Sequence, residues 1–296
     1  MKSFFENYGF VILSAIVVII LIAMAGPIGN TIQNSISNIV EGFKNKTETR
    51  LNTIEDGDYI DKNTSYVGYY ADTNGDGTVD GVIFADLAIG GSGVWNESGD
   101  PTYDKDGVYS YNPFPKEQLK DYEISLKEYS DKFGKKPVLK VAGSEKDRFY
   151  IMALKDISNH TYTWYASAYN ANNGLMTNWQ TTTSRNFGSG WANTTTMVNM
   201  WNEQAYGKQN TGKERNDVWG EIPVNNWFIP SRAEWAAFAK EFGITKSNYR
   251  KFSLQPWYWS SSQYNDSNAC AIYFEHGYVF DGWVHGTVYT RLATTF

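Results

Sequence analysis

The chain has one cysteine, Cys270, and three histidines among 296 residues. A single cysteine excludes an intramolecular disulfide framework and any cysteine-rich zinc site. In an exported protein it suits a bacterial surface protein that avoids disulfides. His160, His276 and His285 have no close ligand spacing, so solvated surface side chains are the better reading of them. Basic charge is also short. Lys and Arg number 26 against 32 Asp and Glu, a net charge of -6, and a nucleic-acid binder would need a basic face.

What the chain has in quantity is aromatic: 11 Trp and 21 Tyr beside 26 Gly. That bias has two readings. One is a Gly-rich β protein with an aromatic core. The other is a recognition surface, because rigid amphipathic rings contact much area at low entropic cost.

Residues 9–29, GFVILSAIVVIILIAMAGPIG, contain no charge and are long enough to cross a hydrocarbon core as one helix. A cleaved signal peptide has a shorter apolar core, a more basic start and a small-residue cleavage site. Ile32, Ile36, Ile39, Val40 and Phe43 continue at helical spacing among polar residues, which predicts an amphipathic extension. Residues 1–45 are thus expected to form a long transmembrane helix, with the polar, Trp-rich remainder outside the cytoplasm. Glu6, Tyr8, Gly9, the run to Ala25 and the spaced Ile32, Ile36 and Ile39 resemble the small pilins of tight-adherence pili. That resemblance implies pilin subunits as partners, since in that family the Glu neutralises a neighbouring subunit's amino terminus. Asn7 stands between Glu6 and Tyr8, and no Gly precedes Glu6. An ordinary signal anchor fits the same pattern.

Residues 72–81, DTNGDGTVDG, place oxygen-bearing side chains at Asp72, Asn74, Asp76, Thr78 and Asp80 around Gly77. The order matches the first nine positions of an EF-hand-type Ca²⁺ loop. The twelfth position is Ile83, and Asp86 is the next carboxylate that could complete the set. Residues 79–88, VDGVIFADLA, read as strand rather than the exiting helix of an EF-hand. The loop residues also favour a plain hairpin turn.

Residues 115–130, PKEQLKDYEISLKEYS, are expected to be helical and residues 147–157, DRFYIMALKDI, to be a strand. Met197, Met200 and Trp201 share a helical face. Ser231 with Glu234 forms a capping-box signature for a second helix, which sends Trp235, Phe238 and Phe242 to a core.

In order, WFIPSRAEWAAFA (227–239), WYWSSS (257–262) and the closing YTRLATTF (289–296) resemble a C-type-lectin-like fold. The similar subset comprises formylglycine-generating-enzyme-like domains and the variable proteins of diversity-generating retroelements. GWANTTTMVNMW (190–201) resembles that fold's first helix. The resemblance implies an α+β architecture: two helices packed on antiparallel sheets, preceded by the N-terminal helix. Residues 146–296 would form the lectin-like domain, and the β-rich residues 46–145 would supply its first strands.

In retroelement-diversified proteins, scaffold and variable positions alternate near the carboxyl terminus, here about residues 257–291. Trp259, Ser260, Ala269, Ala271, Phe274, Gly277, Val279, Val284, Val288, Arg291 and Leu292 match scaffold. The binding face that the resemblance implies consists of Tyr264, Asn265, Asp266, Asn268, Ile272, Glu275, His276, Tyr278, Phe280, Asp281, Trp283, His285 and Tyr289.

These expectations converge on a cell-surface adhesin, membrane-anchored or a minor pilus subunit. Its ligand would be a protein or glycan on a host cell, bacterium or phage, with no catalytic residue. The alternatives are a structural pilin and a carbohydrate-active enzyme drawing on Glu221, Glu234, Glu275 or Asp281. The copper chemistry of the formylglycine-generating relatives needs paired cysteines, and Cys270 stands alone.

Overall fold

The computed structural model describes residues 56–131, 133–141, 143–171, 174, 183–203, 216–223 and 226–296. The expectations for residues 1–45 lie outside the described residues. Among the described residues, no helix is long and apolar enough to cross a membrane.

Residues from Asp56 to Phe296 form one unit, in which sheets dominate and helices are few. Its largest sheet has six strands: β1 (Tyr70–Asp72), β2 (Gly81–Asp86), β5 (Tyr122–Asp131), β6 (Gly134–Val141), β7 (Phe149–Asp156) and β13 (Arg291–Thr295). They lie in the order β13-β7-β2-β1-β6-β5. Strands from before and after residue 145 therefore share one sheet. It is a mixed sheet: β1 pairs parallel with β6, and the other ladders are antiparallel. β3 (Gly91–Val94) and β4 (Val108–Tyr111) make a separate hairpin, and β8 (Tyr162–Thr163) pairs with β12 (Thr287–Val288). The carboxyl terminus closes beside β7, where Phe149 and Phe296 exchange backbone hydrogen bonds of 2.8 and 2.9 Å.

The expected helix over 115–130 is a strand, preceded by a short 3-10 turn at Lys116–Gln118. Its Lys and Glu content suits a helix, but Tyr122 and Ile124 are buried while Glu123 between them is half-exposed. Its backbone pairs antiparallel with β6 from Tyr122 to Asp131, and that ladder makes it a strand. The strand expected at 147–157 is present as β7.

Three α-helices are described: α1 (Ala166–Ala171), α2 (Gly190–Asn202) and α3 (Arg232–Glu241). The capping box at α3 is complete. The Ser231 hydroxyl accepts the Glu234 amide at 3.2 Å, and the Glu234 carboxylate accepts the Ser231 amide at 2.7 Å. Every residue from Ala233 to Ala239 is buried, the signature of a helix enclosed on all sides. α3 contacts β2 of the large sheet, and β9 (Trp257–Gln263) and β10 (Asn268–Tyr273) of a smaller one, so it lies in the middle of the core. Burying a side chain such as Phe238 contributes about 1.5–3 kcal/mol.

Glu234 does more than cap its own helix. Its Oε1 also accepts the amides of Gly188 and Gly190, at 2.9 and 3.2 Å, where α2 begins. Gly190 has to be glycine: an added Cβ would lie 2.3 Å from Glu234 Oε2 and 2.7 Å from the Phe228 ring. Burial pushes the Glu234 carboxyl up to about 7, against the pull of the three amides that favour its charged form.

Candidate recognition surface

Strands β9 and β10, with β11 (Tyr278–Trp283), form a three-stranded sheet in the order β11-β10-β9. Both neighbours of β10 run antiparallel to it. Three buried serines tie β9 to its surroundings. Ser260 Oγ donates to the Cys270 carbonyl at 2.7 Å, Ser262 Oγ donates to the Ser184 carbonyl at 2.8 Å, and Ser261 Oγ accepts from Asn193 at 3.2 Å.

One face of this sheet presents Tyr258, Cys270, Ile272 and Val279 to the core cluster that holds Trp235 and Phe238 of α3. Burial pushes the Cys270 thiol up to about 12, which leaves it a small hydrophobe. The opposite face divides in two. At one end Trp259 is fully buried on a floor of Ala269, Ala271 and Gly282, within a second cluster containing Trp164, Trp219 and Met197. At the other end the cover stops.

There Tyr273 of β10 pairs directly with Trp257 on one side and Tyr278 on the other. Their rings form a row, with centroids 4.7 Å apart for Trp257 and Tyr273 and 5.9 Å for Tyr273 and Tyr278. Tyr103 extends it by stacking on Tyr278 at 4.2 Å. Phe280 backs the row at 5.0 Å from Tyr273, and His276 sits edge-on to Tyr273 at 4.1 Å. Trp257 keeps 39% of its surface exposed, and Tyr103, Tyr273, Tyr278 and Phe280 are half-exposed. Desolvation, then neighbouring Glu275, raises the Tyr273 phenol. Desolvation, then Tyr103 and Tyr273, raises that of Tyr278.

The residues expected on a single face do not all meet there. His276, Tyr278 and Phe280 belong to the row, and Glu275 is exposed in the turn beside it. Ile272 is a correction: it is fully buried against α3 because β10 is covered on both sides at that point. Trp283, 58% exposed, lies at the far end of β11, where His285 packs between it and Tyr169 at 5.4 and 5.0 Å. Asp281 is half-exposed on the core-facing side, opposite Cys270 in register.

Tyr264 lies under the Arg185 guanidinium at 4.7 Å. Asn265 shapes the β9–β10 turn, its Oδ1 accepting the amides of Ser267 and Asn268 at 2.8 and 2.9 Å. Asp266 accepts the Ser267 hydroxyl in the same turn. Asn268 and Tyr289 are half-buried, the latter's ring 6.5 Å from that of Tyr258. Trp257, Tyr273 and Tyr103 were missing from the expected set. Tyr273 shares the parity of Ala269 and Ala271, which read as scaffold, so alternation did not single it out. For Tyr103, which lies in a distant loop, no local signal exists.

The loop at 73–80 joins β1 to β2. Asp72 accepts the amides of Gly75 and Gly77, both at 2.8 Å, and Asp80 accepts the amide and hydroxyl of Thr73. Asn74 and Asp76 accept the amides of Asp76 and Thr78. Asp86 is a second correction. Its buried carboxylate is taken by Arg148, at 2.8 and 2.9 Å, and by the amides of Tyr66 and Ala88. Among the described residues, no group of three or more His, Cys, Asp and Glu side chains is placed to hold a metal ion.

The four carboxylates weighed for catalysis are apart in role. Glu234 is the buried double cap, Glu221 and Glu275 are exposed, and Asp281 is half-exposed. Clefts of about 440 and 400 Å³ meet at Trp227 and Asp80, away from the aromatic row.

No protein-family model and no curated protein matches this sequence. Among solved structures, the chain is similar to a fimbrial protein from Bacteroides ovatus ATCC 8483, with 15% identity and a TM-score of 0.31. The match covers 50% of this chain and 36% of that one, so the chain spans about a third of that protein's length.

Proposed function

We propose that the unit from Asp56 to Phe296 is a C-type-lectin-like recognition domain, carried at the cell surface by the N-terminal segment, that binds a ligand non-covalently through the aromatic face of β9–β11. The observation that carries this reading is the row Trp257–Tyr273–Tyr278, continued by Tyr103, on a sheet face whose other end is covered by the cluster around Trp259. Four rings left half-exposed in line at a surface stabilise a fold less than the same rings fully buried would. Rigid aromatic anchors of this kind dominate binding energy in recognition surfaces.

The order of elements supports the lectin-like reading: α2, then the capped α3, then the Trp-Ser-Ser strand β9, then a terminal strand returning to β7. The buried state of every expected scaffold residue, from Trp259 to Leu292, supports a fixed frame beneath replaceable surface positions. Diversification by a retroelement is part of the proposal. It predicts a reverse transcriptase and a near-copy of the last coding segment, differing at adenines, beside the gene.

The binding test uses the full-length chain in mild detergent on glycan and protein arrays. A ligand bound by the wild type and lost on Tyr278→Ala and Trp257→Ala supports the face. Binding unchanged in both variants removes it.

A further inference from the structure

The aromatic row is bordered by four carboxylates, Glu97, Asp100, Asp104 and Glu275. Glu97 packs against the β10–β11 turn: its amide donates to the Gly277 carbonyl at 2.6 Å, and a Cβ on Gly277 would meet its side chain at 2.4 Å. Asp100 lies in the loop that delivers Tyr103, where its carbonyl accepts the Tyr103 amide at 3.2 Å. Asp104 starts the 3-10 turn Asp104–Asp106, which contacts β11, and accepts the Asn96 amide group. Glu275 stands in the turn on the other side, next to Tyr273 and His276.

All four carboxylates are in exposed residues, apart from the shared shelter of Glu97's backbone. Among the described residues, none of the four forms an ion pair with a Lys or Arg. The cations at this border are Lys105 in the same turn as Asp104, Lys240 beside the pocket that Glu97 lines, and Arg250, which feels Glu275 but donates to the Tyr249 hydroxyl at 3.0 Å, so the four carboxylates outnumber them. The border therefore carries more negative charge than it neutralises.

Aromatic faces are electron-rich and attract cations over the ring. Carboxylates around such faces attract the same charge from further away and speed its encounter. We propose that the face takes a basic peptide segment, its Lys or Arg side chains lying over the tyrosine and tryptophan rings and their charges answered by Glu97, Asp100, Asp104 and Glu275. This inference rests on the reading of the aromatic row as a binding surface and adds the chemistry of the partner. An extended segment suits the row better than a single small cation. The rings succeed one another across three strands and into the Tyr103 loop, a row longer than one small cation can cover.

The test is fluorescence-anisotropy titration of the full-length chain in mild detergent with three labelled peptides, alternating Arg-Gly, Glu-Gly and Ser-Gly. The Arg-Gly peptide is expected to bind at least about ten-fold more tightly than either other peptide, and to weaken as salt is raised. The paired change Asp100→Asn with Glu275→Gln should cost about ten-fold, and so should Tyr278→Ala, while Tyr278→Phe retains binding. Melting temperatures of all variants, expected to stay near wild type, separate lost binding from lost fold.

Equal binding of the three peptides, no binding of Arg-Gly, or unchanged binding in the carboxylate variant overturns the proposal. A neutral glycan or acidic protein that binds wild type and is lost on Tyr278→Ala and Trp257→Ala overturns the basic partner but leaves the recognition surface standing. Arg-Gly binding that ignores both aromatic changes overturns both readings.

Discussion

The two ends of one sheet face in this protein use tryptophan for opposite purposes. Trp259 and Trp257 are two residues apart on β9 and point to the same side. Trp259 lies on Ala269, Ala271 and Gly282, donates its indole N–H to the Tyr162 carbonyl at 2.7 Å, and is wholly enclosed. Trp257 faces Tyr273 at the rim and remains 39% exposed. The neighbours decide the role: small residues across the strands make a seat for a ring, and large ones make a platform of rings.

The contrast can be broken most severely at its buried end. Trp259→Ala should destabilise the protein by about 3–5 kcal/mol, read as a lowered urea midpoint with little change in slope. A loss under about 1 kcal/mol would mean that the two tryptophans are not distinguished as described.

Next comes the pH dependence of the buried side. Because the Glu234 carboxyl is pushed from 4.5 up to about 7 in the folded protein, its contribution is fully present below pH 4.5. It is lost as pH rises through about 7, a change of about 3 kcal/mol for a shift of this size. Wild type should therefore lose stability between about pH 4.5 and 7 relative to Glu234→Gln, whose own stability is lower but flatter over that window. Parallel pH profiles for the two would count against the buried, raised carboxyl.

A smaller effect tests the seat itself. A Cβ at Gly282 would stand 3.1 Å from the Trp259 ring, so Gly282→Val should cost about 1–3 kcal/mol by overpacking. The smallest effect belongs to the platform. Tyr278→Ala should change stability by less than about 1 kcal/mol, with any larger consequence confined to ligand binding. A melting temperature that falls as far as for Gly282→Val would show that the row holds the fold together.

The sequence made some of this readable and hid the rest for identifiable reasons. The start of α3 was legible because capping is local: Ser231 and Glu234 are three residues apart and satisfy each other's backbone. The strand β5 was not, since Glu123, Glu128 and the lysines around them suit a helix, and its identity comes from pairing with β6. The Asp86–Arg148 pair spans 62 residues and leaves no local pattern.

Of the residues expected on one presented face, His276, Tyr278 and Phe280 lie at the aromatic row, whereas Ile272 is buried. Alternation identifies an exposed face only when one side of a sheet is wet. Along β10 both sides are covered as far as Ile272, so alternation carries no information until Tyr273, where one side opens.

Glu234 has one more consequence. Its single carboxylate receives the amides of Gly188, Gly190 and Ser231, so the beginnings of α2 and α3 share one acceptor group. If the start of α3 frays and carries Glu234 away, the buried Gly190 amide at the start of α2 loses its acceptor. In hydrogen–deuterium exchange these three amides should open together, as one cooperative unit about 40 residues wide in sequence though only one side chain wide in space.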